Sequence, residues 1–141
     1  MRDQLHEIVE EFAATPKELR LALLLEFSKS LPALPAHLEE NRDAMEPVEE
    51  CTAPVFLSVD AAPDQPVRIY IDAPAEAPTT RGFASILIEG LDGASPDEVL
   101  STPNDFSAGM GLDELVSPLR MRGLSGMLAR IKRQVAEAAA A

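Results

Sequence analysis

Residues 55–71 read VFLSVDAAPDQPVRIYI, and this stretch carries the clearest fold signal in the chain. Two runs rich in β-branched and aromatic residues, 55–59 and 67–71, flank a connection that contains Pro and Asp. Such runs favour strands and such connections favour turns, so the stretch predicts an antiparallel hairpin. A two-stranded hairpin is not stable alone in water, and helices must therefore cover one of its faces.

Helical patterns precede the hairpin. Apolar residues recur at i, i+3, i+4 and i+7 from Leu5 to Phe12, which predicts a short amphipathic helix. The sequence Thr-Pro-Lys-Glu at 15–18 has the form of a capping box with proline at the first helical position, and predicts a second helix that ends at Leu31. Residues 33–54 are rich in proline and acids, and predict a long wrapping loop with at most a turn of helix at 37–42.

Three further helices are predicted after the hairpin. Thr79 or Thr80 opens the first, which stops between Gly90 and Gly93, and the segment 95–98, Ser-Pro-Asp-Glu, opens a short one. Ser117 and the proline after it open the last helix, whose alanine-rich end is expected to fray. These elements predict an α+β fold, a small antiparallel β-sheet packed by helices, in a single domain over residues 1–141.

Length, composition and charge exclude several classes of function. The chain has 141 residues, enough for one domain and too few for a barrel enzyme. Twelve basic against 24 acidic side chains give a net charge of −12, which repels phosphate backbones and anionic lipids. Aromatic residues make up 4% and Trp is absent, so base-stacking platforms are hard to build. We therefore expect no nucleic acid and no membrane as partners, and a cytoplasmic location.

Positive charge is concentrated near the C-terminus. Residues 117–141 hold five basic side chains and one acidic one, whereas the rest of the chain is strongly acidic. Arg130, Lys132 and Arg133 are interpreted as complementing the dipole near the end of the last helix, in preference to forming a docking patch.

Cys51 is the only strong nucleophile, and it lies in the predicted loop just before the first strand of the hairpin. On the residues alone, a lone cysteine is slightly more often a small buried hydrophobe than a reactive group. Glu49 and Glu50 raise the expected pKa of its thiol, unless a cation or a helix N-terminus compensates. One cysteine cannot form an internal disulfide, and two histidines without a cysteine pair cannot form a zinc cluster.

The other candidate site residues are two histidines and two arginines. His6 and His37 are expected to be solvated, so a Cys-His catalytic pair is not favoured. Arg81 and Arg120 stand near predicted helix starts, where the dipole disfavours a cation, so tertiary contacts or a ligand must hold them there. For Arg81 we expect a structural ion pair with an acidic residue.

Four segments together resemble the SufE family of cysteine desulfuration proteins. They are Leu31-Pro32-Ala33-Leu34-Pro35, Val48-x-x-Cys51-x-x-x-Val55-Phe56, Asp72 to Glu76 followed by Arg81-Gly82-Phe83, and Ser117-Pro118-Leu119-Arg120-Met121-Arg122-Gly123-Leu124. The likeness spans nearly the whole chain in order. Around the cysteine, many members have Gly-Cys-Gln-Ser, whereas this chain has Glu50, Thr52 and Ala53 beside Cys51. It also has Phe56 where Trp is common and Leu115 where His is common.

The resemblance implies a function. Cys51 would accept a sulfane sulfur from a cysteine desulfurase and hold it as a persulfide for an iron–sulfur assembly scaffold. Pyridoxal phosphate would belong to the desulfurase, so this chain needs no cofactor of its own. Arg120 would help position or stabilise the sulfur-bearing loop, and Glu76 would fix its resting conformation. The implied fold is that of SufE and of the IscU-like iron–sulfur scaffold proteins, a small antiparallel sheet packed by helices.

Two other functions remain as alternatives. A non-catalytic acidic adaptor would bind a basic partner with Cys51 merely packed. A thiol-redox enzyme would form a sulfenic acid rapidly with peroxide, which the neighbouring glutamates disfavour. A cluster-holding scaffold is not favoured, because one cysteine supplies too few thiolate ligands. Whether the chain forms a homodimer stays open on the sequence alone.

Overall fold

The computed structural model describes residues 1–140. Along the chain, helices precede the strands of the sheet and further helices follow them. The helices are α1 (Asp3–Ala14), α2 (Lys17–Ser28), α3 (Ala36–Glu39), α4 (Pro78–Leu91), α5 (Pro96–Leu100) and α6 (Pro118–Ala140), with 3-10 turns at Arg42–Ala44 and Phe106–Met110. The strands are β1 (Glu46–Pro47), β2 (Phe56–Asp60) and β3 (Arg68–Asp72). The predicted α+β class is confirmed.

The sheet is antiparallel with the order β1-β2-β3. The predicted hairpin is confirmed, with Phe56 opposite Asp72 and Asp60 opposite Arg68. The turn of helix allowed within the predicted wrapping loop over 33–54 is present as α3, but the loop prediction is wrong in part, because the segment also contains a 3-10 turn and β1, which pairs with β2. A strand of two residues shows no alternation that a sequence pattern could reveal, and Pro47 is tolerated because β1 is an edge strand.

Helix α4 forms the centre of the core and contacts α1, α2, β3 and α6. Every residue from Gly82 to Ile88 is buried, in a stretch that is apolar apart from Ser85. Helix α6 packs against both α4 and β2, and its apolar stripe is buried at Leu124, Met127, Leu128, Ile131 and Val135. The central position of α4 and the contact of α6 with the sheet fix the surface on which the loop before β2 rests.

A polar side chain of α6 also binds the sheet. The amide of Gln134 accepts a hydrogen bond from the Val59 N–H at 2.9 Å and donates one to Glu46 at 3.1 Å. One residue of α6 is thus bonded to both β1 and β2, which holds the helix in register with the two strands on either side of the Cys51 loop.

Several predicted helix ends need correction. Thr15 does not cap α2, because its hydroxyl donates to the Glu11 carbonyl at 2.6 Å and so belongs to the end of α1. Helix α2 ends at Ser28 rather than Leu31. The predicted start of a short helix at Ser95 is confirmed, and Ser95 and Glu98 form a capping box there. The alanine-rich tail is helical through Ala140, and residue 141 lies outside the described residues. Within residues 1–140, none of the helices has the length and apolarity that a membrane span needs.

Candidate functional site

Cys51 lies near the middle of a loop that is closed at its base. The Val48 N–H donates to the Val55 carbonyl at 2.8 Å, and both valines are buried in the core. Inside this loop the Cys51 N–H donates to the Val48 carbonyl at 3.2 Å, which forms a turn. The apolar ends of the loop are therefore fixed, and the polar residues between them form its tip.

The thiol packs on a glycine of α6. Cys51 is partly buried against the core, and a Cβ atom added at Gly123 would lie 2.9 Å from its Sγ. Gly123 is itself buried in α6, so this position of the helix leaves room for the thiol because it lacks a side chain. The expectation that Cys51 is a small buried hydrophobe holds only in part, because the side chain is partly exposed and lies at the border of core and surface.

An arginine of α6 binds the same loop. Arg130 Nη1 lies 2.7 Å from Glu50 Oε1, and Arg130 Nε lies 3.3 Å from Glu46 Oε2. Arg130 Nε also donates to the Pro47 carbonyl at 3.2 Å. The guanidinium therefore connects the end of β1 to the residue just before the cysteine.

The interpretation of the basic residues near the C-terminus as dipole complements is wrong. Helix α6 continues to Ala140, and its last turn contains no basic residue. Arg130 is engaged with the Cys51 loop, Arg133 pairs with Glu46 and Glu137, and the Lys132 amine donates to Asn104 at 2.7 Å. Apart from the pair of Arg133 with Glu137 within α6, these cations make tertiary contacts that the helix pattern alone does not reveal.

Burial is the main cause that raises the pKa of the Cys51 thiol above its ordinary value. The charge of Glu50 raises this pKa further, and the nearby Arg130 opposes the rise. The hydrogen bond from Arg130 in turn lowers the pKa of Glu50, so this carboxylate stays charged beside the thiol. The prediction that a neighbouring glutamate raises the thiol pKa is confirmed for Glu50, and the cation compensates only in part.

This raised pKa predicts a slow thiol in the resting protein. Because only the thiolate attacks an alkylating agent, iodoacetamide should modify Cys51 more slowly at pH 7 than it modifies the same cysteine in the urea-unfolded chain. The rate should rise with pH through a midpoint above that of the unfolded chain. Mass spectrometry of timed samples measures both profiles, and a midpoint at or below that of the unfolded chain would refute the prediction.

Arg120 and Glu76 lie at the N-terminal ends of two neighbouring helices. Arg120 is exposed, lies one turn before Gly123 on α6, and its Nη1 lies 3.4 Å from Thr79 Oγ1 on α4. Glu76 is exposed in the turn just before α4, and within residues 1–140 no hydrogen bond or ion pair connects its side chain to Cys51 or Arg120. The structure thus brings Arg120 to the helix face that carries the thiol, and its role and that of Glu76 stay predictions.

Arg81 is held by the backbone. Its Nη1 donates to the Ala73 carbonyl at 2.7 Å, so the expectation of a tertiary contact is confirmed. The expected ion pair with an acidic residue is wrong, because among the described residues the partner of the guanidinium is this carbonyl at the end of β3. Arg81 therefore joins β3 to α4 and has a structural role.

The fold and the loop define a class: a small α+β protein that presents its single cysteine on an anchored loop over a helix. A family model described as "SufE: Fe-S metabolism associated domain" matches residues 6–135. The chain belongs to the SufE family, and its domain is associated with iron–sulfur metabolism.

Individual relatives agree with this assignment. The chain is 56% identical over 134 residues to a protein of Mycobacterium tuberculosis named an uncharacterized SufE-like protein, covering 95% of this chain and 92% of that one. It is 28% identical over 132 residues to SufE-like protein 1, chloroplastic/mitochondrial, of Arabidopsis thaliana, covering 93% of this chain and 34% of that one. A solution structure of a hypothetical protein from Thermus thermophilus is 40% identical, with a TM-score of 0.86 over 98% of this chain and 97% of that one, which confirms the SufE-like fold.

Proposed function

We propose that this protein accepts a sulfane sulfur on Cys51 from the persulfide of a cysteine desulfurase and passes it to an iron–sulfur assembly scaffold. The observation that carries the proposal is the position of the only thiol in the chain, on a loop with buried ends and a polar tip, over a glycine of α6. Such a thiol is sheltered at rest and can reach outward if the tip moves. The association of the family with iron–sulfur metabolism supports sulfur as the cargo.

The reaction is an exchange between a thiolate and a persulfide. The Cys51 thiol loses its proton to solvent, and the thiolate attacks the outer sulfur of the donor persulfide. A new S–S bond forms on Cys51 while the S–S bond of the donor breaks, and the donor cysteine leaves as a thiolate. One sulfane sulfur has moved and no external oxidant or reductant is consumed. Pyridoxal phosphate belongs to the chemistry of the donor, which generates the persulfide.

The sheltered position of the thiol suits this reaction. A persulfide that stayed exposed would be lost to reductants or oxidised, so the loop tip has to meet the donor and then return. A raised thiol pKa keeps Cys51 protonated and slow to react with other oxidants, until a partner supplies groups that favour the thiolate. Both properties favour a carrier over a peroxide-reducing enzyme, which needs a rapidly reacting thiolate.

Arg120 and Glu76 are the further residues of the proposed site. Arg120 is exposed one helical turn from Gly123, so its cation can act on the loop or on an incoming thiolate without being buried. Glu76 precedes α4, the helix whose Thr79 contacts Arg120. We propose that the pair forms the border of the surface that receives the desulfurase, with Arg120 positioning the loop and Glu76 favouring its resting conformation.

A desulfurase turnover assay tests the proposal. A cysteine desulfurase purified from an organism that encodes this chain is supplied with cysteine and dithiothreitol, and sulfide release is measured with and without this protein. The wild-type protein should increase release, and Cys51→Ser, which removes the attacking thiol and little volume, should give no increase. If Cys51→Ser stimulates release as well as the wild type, the sulfur-acceptor function is refuted and the adaptor alternative is favoured.

A further inference from the structure

The Arg130 side chain is less exposed than the other lysine and arginine side chains that form ion pairs in the described part of this protein. Its side chain is 16% exposed, whereas the other lysines and arginines that form ion pairs within residues 1–140 are at least 46% exposed. Exposed ion pairs contribute little because solvent screens them and both side chains lose freedom. A partly enclosed guanidinium that contacts two carboxylates and two carbonyls is held more firmly than an exposed one, so Arg130 can hold the residues that it binds in place.

The residues that Arg130 binds lie next to the thiol. Glu50 immediately precedes Cys51, and a Cβ atom added at Gly126 would lie 2.7 Å from Glu50 Cδ. Glu50 therefore lies flat on α6 at Gly126, just as Cys51 lies on Gly123 one turn earlier. Two consecutive loop residues rest on two glycines on the same face of the helix, and the ion pair fastens the second of them.

We propose that Arg130 is a positioning residue that holds the Cys51 loop closed on Gly123 and Gly126 through its ion pair with Glu50. This inference rests on the proposed function, since it names the contact that must open before Cys51 can meet a sulfur donor. The base of the loop is fixed by buried valines, so opening requires only the tip to leave α6. A donor surface that competes for Glu50 or Arg130 would therefore release the thiol at the moment of docking.

Alkylation of Cys51 measures how often the loop opens. The rate is followed with iodoacetamide as a function of pH, and the limiting rate of the fully ionised thiol is obtained from the fitted profile of each variant, so that it reports access alone. Arg130→Gln and Glu50→Gln should each raise this limiting rate by about three- to tenfold. The double variant should be no faster than Arg130→Gln alone, because the ion pair with Glu50 is already absent from that single variant.

Three further variants distinguish a specific contact that holds the loop closed from a general loss of stability. Gly126→Ala changes no charge, improves helix propensity and displaces Glu50, so it should also raise the limiting rate. Lys132→Gln makes the same charge change as Arg130→Gln on the same helix, but removes a contact with Asn104 instead, and should leave the rate at the wild-type value. Arg130→Lys keeps the charge and should return the rate toward wild type.

The proposal is overturned if Arg130→Gln, Glu50→Gln and Gly126→Ala remain folded by circular dichroism and alkylate within about twofold of wild type. It is also overturned if Lys132→Gln speeds alkylation as much as Arg130→Gln. Alkylation requires no desulfurase, so these outcomes leave sulfur acceptance by Cys51 untouched. Conversely, a failure of the wild-type protein in the desulfurase assay would refute the carrier function without altering the alkylation result.

Discussion

Gly123→Leu is expected to lift the Cys51 loop away from α6 and make the thiol much more reactive. A Cβ atom at this position already approaches Sγ to 2.9 Å, and a leucine side chain would occupy the space of the thiol itself. Overpacking of about 1–3 kcal/mol in the closed arrangement changes the ratio of closed to open loop by about 5- to 150-fold. Release from burial also removes the main cause that raises the thiol pKa. Greater access to the thiol and a lower thiol pKa both increase the alkylation rate.

The alkylation rate of Cys51 at pH 7 checks this expectation. It should rise at least about fivefold in Gly123→Leu, and by less in Gly123→Ala, which shifts only the thiol. Ser125→Leu is the matched control, since it adds the same side chain at an exposed position of α6 and should leave the rate unchanged. An unchanged rate in Gly123→Leu would mean that the thiol does not rest on this glycine.

Gly82→Ala is expected to lower the free energy of unfolding by about 2 kcal/mol, although alanine is the better helix former. The added Cβ would lie 2.6 Å from the backbone carbonyl oxygen of Leu24, where α4 crosses α2. A backbone atom cannot turn aside as a side chain can, so the two helices must separate. The contact between α4 and α2 is the most extensive one between helices, and the loss therefore spreads through the core.

Urea unfolding followed by circular dichroism measures this effect. Gly109→Ala is the matched control, because its Cβ would meet only the Val9 side chain at 3.4 Å, an ordinary contact, and its stability should stay within about 0.5 kcal/mol of wild type. If Gly82→Ala is as stable as Gly109→Ala, the close crossing of α2 and α4 is not as the structure has it.

The sequence allowed most of the helices and the hairpin to be predicted because their patterns are local. The apolar spacing of α1 and α6 and the β-rich runs of β2 and β3 each reflect burial of one face, which a pattern of side chains reveals. β1 was not predicted, because its pairing with β2 depends on how the segment 33–54 folds as a whole. Thr15 was misassigned because its hydroxyl can serve the helix before it as readily as the one after it.

The candidate site could be predicted only in part. Cys51 stands out because it is the only thiol, and the family motif around it is local. The contact between Arg130 and Glu50 joins distant parts of the chain, so no spacing in the sequence indicates it. Gly123 and Gly126 offered the one usable signal, because glycines inside a long helix weaken it and are expected where another segment approaches closely.

The position of sulfur after a single exposure to a donor tests the central claim most directly. The protein is mixed with a cysteine desulfurase and cysteine without reductant, and peptides blocked with iodoacetamide are sequenced by mass spectrometry. We expect one additional sulfur atom, about 32 Da, on the peptide that carries Cys51, and this gain should depend on the desulfurase and be absent from Cys51→Ser. A desulfurase that is itself loaded with persulfide while Cys51 gains no sulfur would contradict it.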